Sequence, residues 1–378
     1  MERYFDHNAS SLLRPEAAEA LAAWIRSGGG NPSSSHARGQ KARLALEDAR
    51  AAVASLATGA RARDVVFTSG ATESVNTVMR AVAAADPEAV HVVSTIEHAC
   101  IVRTADELEA NGRRVLRLAA RSDSSLDLEP LAALPRDATC FVSLALANGE
   151  TGAVLDAAAL RRAAPPTAWI HLDVAQAAGR MPLSFGDGID ALSLSGHKFG
   201  APPGVGALLL APRLRERLSP LLAGGPQEWG LRAGTPNLPG IVAMGAAAFA
   251  SLRAIERDAV RLASLRERLW SGLAARLSGL RRLSPECGLA NTLTVSLRDC
   301  RSDSLLAALD LAGFHASAGS ACAAGAPGPS RVARALGLEE EWQQGILRLS
   351  MGWSSTEAGV DALVEALVGI ASRAREAA

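Results

Sequence analysis

The chain has 378 residues, 48% hydrophobic and 21% charged, which is apolar enough for a large core and excludes a disordered chain. Lys plus Arg and Asp plus Glu both number 39, so the formal net charge is zero and gives no electrostatic reason to expect nucleic acid or an anionic membrane as a main partner. No signal-like segment precedes Tyr4-Phe5-Asp6 and no apolar run is expected to span a bilayer, so the reading is a cytoplasmic protein of two domains, or one with an appendage.

Along the chain, short β-rich apolar runs alternate with longer periodic segments rich in Ala and Leu, the pattern of an α/β sheet with covering helices. Gln40–Ser55 reads as a helix. Val65–Thr68 reads as a strand, after which Ser69-Gly70-Ala71-Thr72-Glu73 opens a helix to about Ala85. Further strands are predicted at Val90–Thr95, Val115–Leu118, Cys140–Leu146, Ile170–Val174, Ala191–Leu194 and Gly206–Leu210, several of them continuous apolar runs suited to burial on both faces. From about Leu238 to Leu280 the pattern is helical, with a candidate break before Arg253, and leads out of the large domain. Beyond it Asn291–Leu297 reads as a strand, Ser302–Gly313 as a helix and His315–Ser330 as a loop of small residues. Arg331–Gly337 (helix), Gly345–Ser350 (strand) and Thr356 to about Arg373 (helix) complete a smaller α+β domain.

Five cysteines, Cys100, Cys140, Cys287, Cys300 and Cys322, are odd in number and form no C-x-x-C pair, which argues against a disulfide framework or a structural zinc site. Each reads as a small buried hydrophobe unless its context says otherwise. Of the 39 basic residues only Lys41 and Lys198 are lysines. Arginine stays protonated and cannot form an imine, so a lysine kept against that bias is a candidate for amine chemistry. Lys41 reads as a solvated helix charge. Lys198, between Ser195-Gly196-His197 and Phe199-Gly200 at a strand end, is a poor place for a plain surface charge.

The turn Thr68-Ser69-Gly70-Ala71-Thr72 aims backbone N–H groups and a positive dipole end at one point, as a phosphate site does; alone, it reads better as an ordinary helix cap. Asp173 closes the run Trp169-Ile170-His171-Leu172-Asp173 at the sheet edge where ligands of open α/β sheets bind. It could cap a helix, hold a metal, or pair with a cationic ring nitrogen such as the pyridinium of pyridoxal phosphate (PLP). Lys198 tips the balance. A phosphate-binding turn, a strand-end acid and a strand-end lysine are far more specific together than apart.

Several motifs run in one order: Tyr4-Phe5-Asp6-His7-Asn8-Ala9, Gly30-Asn31-Pro32-Ser33-Ser34, Thr68-Ser69-Gly70-Ala71-Thr72-Glu73-Ser74, Glu97-His98-Ala99 and His171-Leu172-Asp173-Val174-Ala175-Gln176. Ser195-Gly196-His197-Lys198, Arg232-Ala233-Gly234-Thr235, Ser320-Ala321-Cys322 and Arg348-Leu349-Ser350 follow. Over nearly its whole length the chain resembles the cysteine desulfurases of the nitrogen-fixation and iron–sulfur-cluster type, class-V aminotransferases of fold type I. The resemblance implies a large, mostly parallel seven-stranded-sheet domain at 16–255 and a smaller α+β domain at 256–378. Residues 1–15 would pack with the small domain. It also implies a homodimer, L-cysteine as substrate and a sulfur-acceptor or scaffold protein as partner.

By the same resemblance Lys198 would carry PLP, His98 would stack on its ring and Asp173 would pair with its ring nitrogen. Gln176 and Asn148 would lie by the ring oxygen. Ala71, Thr72, Ser195 and His197 would hold the phosphate, with Thr235 from a neighbouring subunit. Asn31 and Arg348 would bind the substrate carboxylate, a task for which the planar guanidinium fork is suited. Cys322, in the loop Ser317–Gly325, would take the sulfur as a persulfide, since a sulfur carrier needs exposure and mobility. The family commonly reads Asn-Asn-Glu-x-Gly where this chain has Asn148-Gly149-Glu150-Thr151-Gly152, and an arginine often stands at Trp353. Rival readings are a selenocysteine lyase, a C–S lyase or aminotransferase of the same family, or a weakly active sulfur-relay subunit.

Overall fold

The computed structural model describes residues 3–319 and 330–376. Its strands are β1 (Ala57–Thr58), β2 (Val65–Thr68), β3 (Val90–Ser94), β4 (Val115–Leu118), β5 (Cys140–Ala145), β6 (Trp169–Asp173), β7 (Leu183–Ser184), β8 (Ala191–Ser195), β9 (Gly206–Leu210), β10 (Leu280–Arg282), β11 (Thr292–Leu297) and β12 (Ile346–Ser350). Seven of them form one sheet in the order β2-β9-β8-β6-β5-β3-β4. Only β9 runs antiparallel to its neighbours in that sheet. The mostly parallel sheet expected from the sequence is the one observed.

Strands β3, β8 and β9 are buried at every position, which a parallel sheet covered on both sides requires. One face, with Val92, Leu144, Leu172 and Leu194, packs on Ala37–Ala54 and the first part of helix Leu238–Ala274. The opposite face packs on helices Ala71–Ala85 and Ala99–Ala110. A second sheet, β10-β11-β12, is antiparallel and builds a separate core with the second part of Leu238–Ala274 and helix Glu357–Glu376.

Helix Leu238–Ala274 is continuous, so the break considered before Arg253 is absent; it serves both cores, with Ile241 and Met244 in the first and Leu265 and Leu269 in the second. It is long and apolar enough to cross a bilayer, contrary to the sequence expectation, but 56% of its most apolar window is buried within the fold. Leu280 ends no helix; it begins β10, an edge strand defined only by its pairing with β11. Helix Pro15–Arg26, with proline at its first position, and the short pair β1–β7 were likewise not read from the sequence.

The N-terminal segment stitches the two cores together. Tyr4 and Asp6 form bridges with His315 and Ser350, and Phe5 is buried in the second core. Ser11 N–H then donates to His197 O at 2.8 Å and Arg14 N–H to Gly200 O at 2.9 Å, on the seven-stranded sheet.

Candidate active site

A cavity of about 1550 Å³ opens at the carboxyl ends of the parallel strands, where open α/β sheets bind ligands. Lys198 leaves the end of β8, and its Nζ donates to the carbonyls of Asn8 at 2.7 Å and Ala9 at 2.9 Å. Asp173, the last residue of β6, is buried; its Oδ1 accepts from Ala175 N–H at 2.9 Å. Burial raises its pKa, and the Ala175 N–H and the positive charge of Lys198 oppose that rise.

His98 caps helix Ala99–Ala110, and its Nδ1 accepts from Cys100 N–H at 3.2 Å. An accepting Nδ1 leaves the ring proton on Nε2. Burial lowers the pKa of His98, so the ring is held neutral. Cys100 Sγ lies 3.0 Å from the same nitrogen.

Ala71 and Thr72 open helix Ala71–Ala85, whose first N–H groups have no intrahelical acceptors. A Cβ on Gly206 would stand 2.5 Å from Gly70 Cα, so glycine in β9 lets this turn settle onto the sheet. Ser195 and His197 line the cavity beside it, and His197 Nδ1 lies 3.2 Å from Ser10 Oγ. Glu73 Oε2 accepts from Ser69 N–H at 2.7 Å and its Oε1 from Arg232 at 3.0 Å, so this carboxylate takes up one N–H of the turn and is itself neutralised by an arginine.

The opposite wall comes from the small sheet and the N-terminal segment. Arg348 on β12 donates to Asp6 Oδ1 at 2.8 Å and to Gly149 O at 3.1 Å, while its buried Nε has no partner among the described residues. Asn148 lines the cavity, but its Oδ1 accepts from the N–H groups of Glu150 and Thr151, both at 2.9 Å, and its Nδ2 donates to Ile96 O at 2.8 Å. Its amide shapes the turn and does not swing over to replace a side chain missing at Gly149. Gln176 fills that place: a Cβ on Gly149 would lie 3.1 Å from Gln176 Nε2.

Three predicted site residues are not gathered here. Asn31 is exposed in the loop before helix Ala37–Ala54, where its Oδ1 accepts from Ser33 N–H at 2.9 Å. Thr235 is exposed and outside the cavity lining. Cys322 lies outside the described residues; Ser317, Ala318 and Ser330, on either side of it, line the cavity.

The family model for class-V aminotransferases matches residues 3–363. The chain belongs to the class-V aminotransferase family. It is 41% identical to a cysteine desulfurase of Cereibacter sphaeroides, over 99% of this chain and 97% of that one. A solved NifS-like protein superposes with a TM-score of 0.91 at 31% identity, covering 99% of this chain and 100% of the other. The structure of SspA in complex with cysteine matches with a TM-score of 0.80 at 29% identity, over 92% and 98% of the two chains.

Within this class-V chain, two residues that sequence reasoning passed over organise the site. Asn8 supplies the carbonyl that holds Lys198, and its Nδ2 donates to Gly149 O at 3.2 Å. Arg180 donates to His7 O at 2.8 Å, Asn8 Oδ1 at 2.7 Å, Gln176 Oε1 at 2.7 Å and Lys198 O at 2.9 Å. Burial pulls its pKa down to about 9. Asn8 lies in the Tyr4–Ala9 motif, where its sequence context assigns it no role; Arg180, one arginine among many, carries no sequence signal. Trp353 donates from Nε1 to Leu12 O at 3.0 Å, so it pins the N-terminal segment and stands outside the cavity lining.

Proposed function

We propose that the chain is a PLP-dependent cysteine desulfurase that converts L-cysteine to L-alanine and holds the released sulfur as a persulfide on Cys322 for transfer to an acceptor protein. The observation that carries this reading is that Lys198, one of only two lysines, faces the same cavity as Asp173, His98 and the helix mouth at Gly70. An amine, a buried carboxyl, and a turn with free N–H groups and the Ser195 hydroxyl make a donor set that fits an aldehyde, a cationic ring nitrogen and a phosphate. Bound there, PLP supplies an electron-withdrawing ring that takes up the charge left when a Cα proton departs.

Lys198 Nζ, held by the carbonyls of Asn8 and Ala9, would anchor the cofactor aldehyde and move the substrate's Cα proton. Asp173 would hold the ring nitrogen, His98 would stack over the ring, and Ala71, Thr72, Ser195 and His197 would take the phosphate. Arg348, in the cavity lining, would bind the substrate carboxylate. Asn31 and Thr235 would complete the site only in a homodimer.

Cys322 lies four residues beyond Ala318 on the cavity lining, within about 14 Å of extended chain. Its thiolate would form a bond to the substrate Sγ as the Cβ–Sγ bond breaks, so that L-cysteine and one thiol become L-alanine and one persulfide. Single-turnover analysis tests this: wild type yields alanine and a persulfide on Cys322 in equal amounts. A Cys322→Ser variant that released alanine and sulfide at the wild-type rate would overturn it.

A further inference from the structure

Beneath Asp173 the central sheet carries a row of polar side chains that touches neither the cavity nor solvent. Ser143 on β5 is registered opposite His171 on β6, and Ser193 on β8 opposite Asp173. Alternate residues of a strand share a face, so all four lie on one side of the sheet. Ser143, His171 and Ser193 are each fully buried. Ser143 Oγ lies 2.9 Å from His171 Nδ1 and His171 Nε2 lies 3.0 Å from Ser193 Oγ, while Ser193, in register opposite Asp173, acts to lower the Asp173 pKa. On β3 the equally buried His91 has no hydrogen-bond partner at either ring nitrogen among the described residues, whereas both ring nitrogens of His171 have one.

The row has a direction. Burial lowers the pKa of His171 to about 3, so the ring is neutral, with one donor and one acceptor nitrogen. Each serine has one proton to give. If Ser193 donates to an ionised Asp173, it must accept from His171 Nε2–H, and Nδ1 must then accept from Ser143. Every donor in that arrangement points at the carboxylate. The reverse arrangement needs Asp173 to be protonated. The groups facing Asp173 are His98, Lys198, Glu97 and Cys100. Lys198 and the Ala175 N–H favour the anion; burial pushes Glu97 up to about 7 and Cys100 higher, which weakens their opposition.

We propose that His171 is a positioning residue: the Ser143–His171–Ser193 relay is polarised toward Asp173 and keeps that carboxylate ionised and aligned for a cationic ring nitrogen. The purpose of the relay rests on the PLP reading above, whereas its polarity belongs to the chain alone. Histidine-selective ¹⁵N NMR of the purified protein reads the polarity directly, with His171 assigned by the signal lost in His171→Gln. The expected result is a proton on Nε2, a bare Nδ1 and no titration through neutral pH. A proton on Nδ1 overturns the proposal in wild type, whatever the variants do.

The second readout is the ring nitrogen of ¹⁵N-labelled PLP bound to the holoprotein. Removing one hydrogen bond to a charged group in His171→Phe or Ser193→Ala shifts proton sharing about tenfold from the ring nitrogen toward Asp173. His171→Gln, which offers an N–H near the Nε2 position, restores most of the wild-type signal. An unchanged ring-nitrogen signal in both truncated variants overturns the proposal. A protein that takes up no PLP yet carries His171 Nε2–H supports the polarised relay and sinks the desulfurase reading instead.

Discussion

The floor and the far wall of the cavity are built in different ways. The floor contacts are local in sequence: His171 reaches Ser143 and Ser193 across 28 and 22 residues, between adjacent strands of one sheet. The wall contacts join distant segments: Arg348 and Asp6 are 342 residues apart, and Arg180 reaches Asn8 across 172. Formation of the sheet sets the floor, but the wall exists only when residues 4–12 dock across both cores. The strand-end groups of the floor are thus set by the sheet, whereas the wall, and the carbonyls of Asn8 and Ala9 that hold Lys198, arrive with the N-terminal segment.

The sharpest way to break this comparison is at Asp6. Its carboxylate accepts from Arg348 at 2.8 Å and from Ser317 Oγ at 2.7 Å, and the Arg348 side chain is only 3% exposed. Asp6→Ala would leave a buried guanidinium short of its counter-charge, at a cost of about 3–5 kcal/mol. Urea denaturation should read that loss, with KM for L-cysteine rising and the absorption band of bound PLP unchanged. If the band disappears as well, the floor depends on the wall and the separation fails.

The floor was also the part the sequence displayed. Short β-rich runs, several of them continuous and apolar, marked all seven strands of the large sheet, and residues at strand ends must converge at one edge, so Asp173, Ser195 and Lys198 could be placed together from local pattern alone. Nothing local marks Asn8 or Arg180, because their roles reside in backbone carbonyls and in long-range contacts such as Lys198 to Asn8 and Arg180 to Asn8, 190 and 172 residues apart. Asn148 lay in the right turn, but whether its amide faces ligand or backbone depends on packing that spacing does not encode. The same holds for β10, which is a strand because β11 lies beside it.

A smaller effect belongs to Glu97, behind the floor. Its Oε1 accepts from Ser94 Oγ at 2.6 Å and its Oε2 from Ala145 N–H at 2.8 Å; burial raises its pKa from 4.5 to about 7. A raised pKa means that the folded chain binds the proton more tightly than the unfolded chain. The stability this proton contributes is full below pH 4.5 and is lost as pH rises through about 7, a fall of about 3 kcal/mol. Urea midpoints measured across that window should therefore slope less in Glu97→Gln than in wild type. Parallel curves would mean that the carboxyl is solvated and the floor more open than described.

The seam between floor and wall is Gly149, and there the expected effect is smallest. Its carbonyl accepts from Asn8 and Arg348, and a Cβ at this position would approach Gln176 Nε2 to 3.1 Å and Cγ to 3.4 Å. Gly149→Asn, which supplies the side chain common in the family, must push Gln176 by a few tenths of an ångström. Gln176 is not free to retreat, since Arg180 donates to its Oε1 at 2.7 Å and its Nε2 donates to Asn8 O at 3.0 Å. Straining or losing one such hydrogen bond costs about 1 kcal/mol. In a Gln176→Ala background that obstacle is gone, so Gly149→Asn should there cost less than about 0.5 kcal/mol, the level at which uncoupled sites add. Equal costs in the two backgrounds would show that glycine is needed at 149 for a reason other than room for Gln176, and the seam would then belong to the backbone that Asn8 and Arg348 hold.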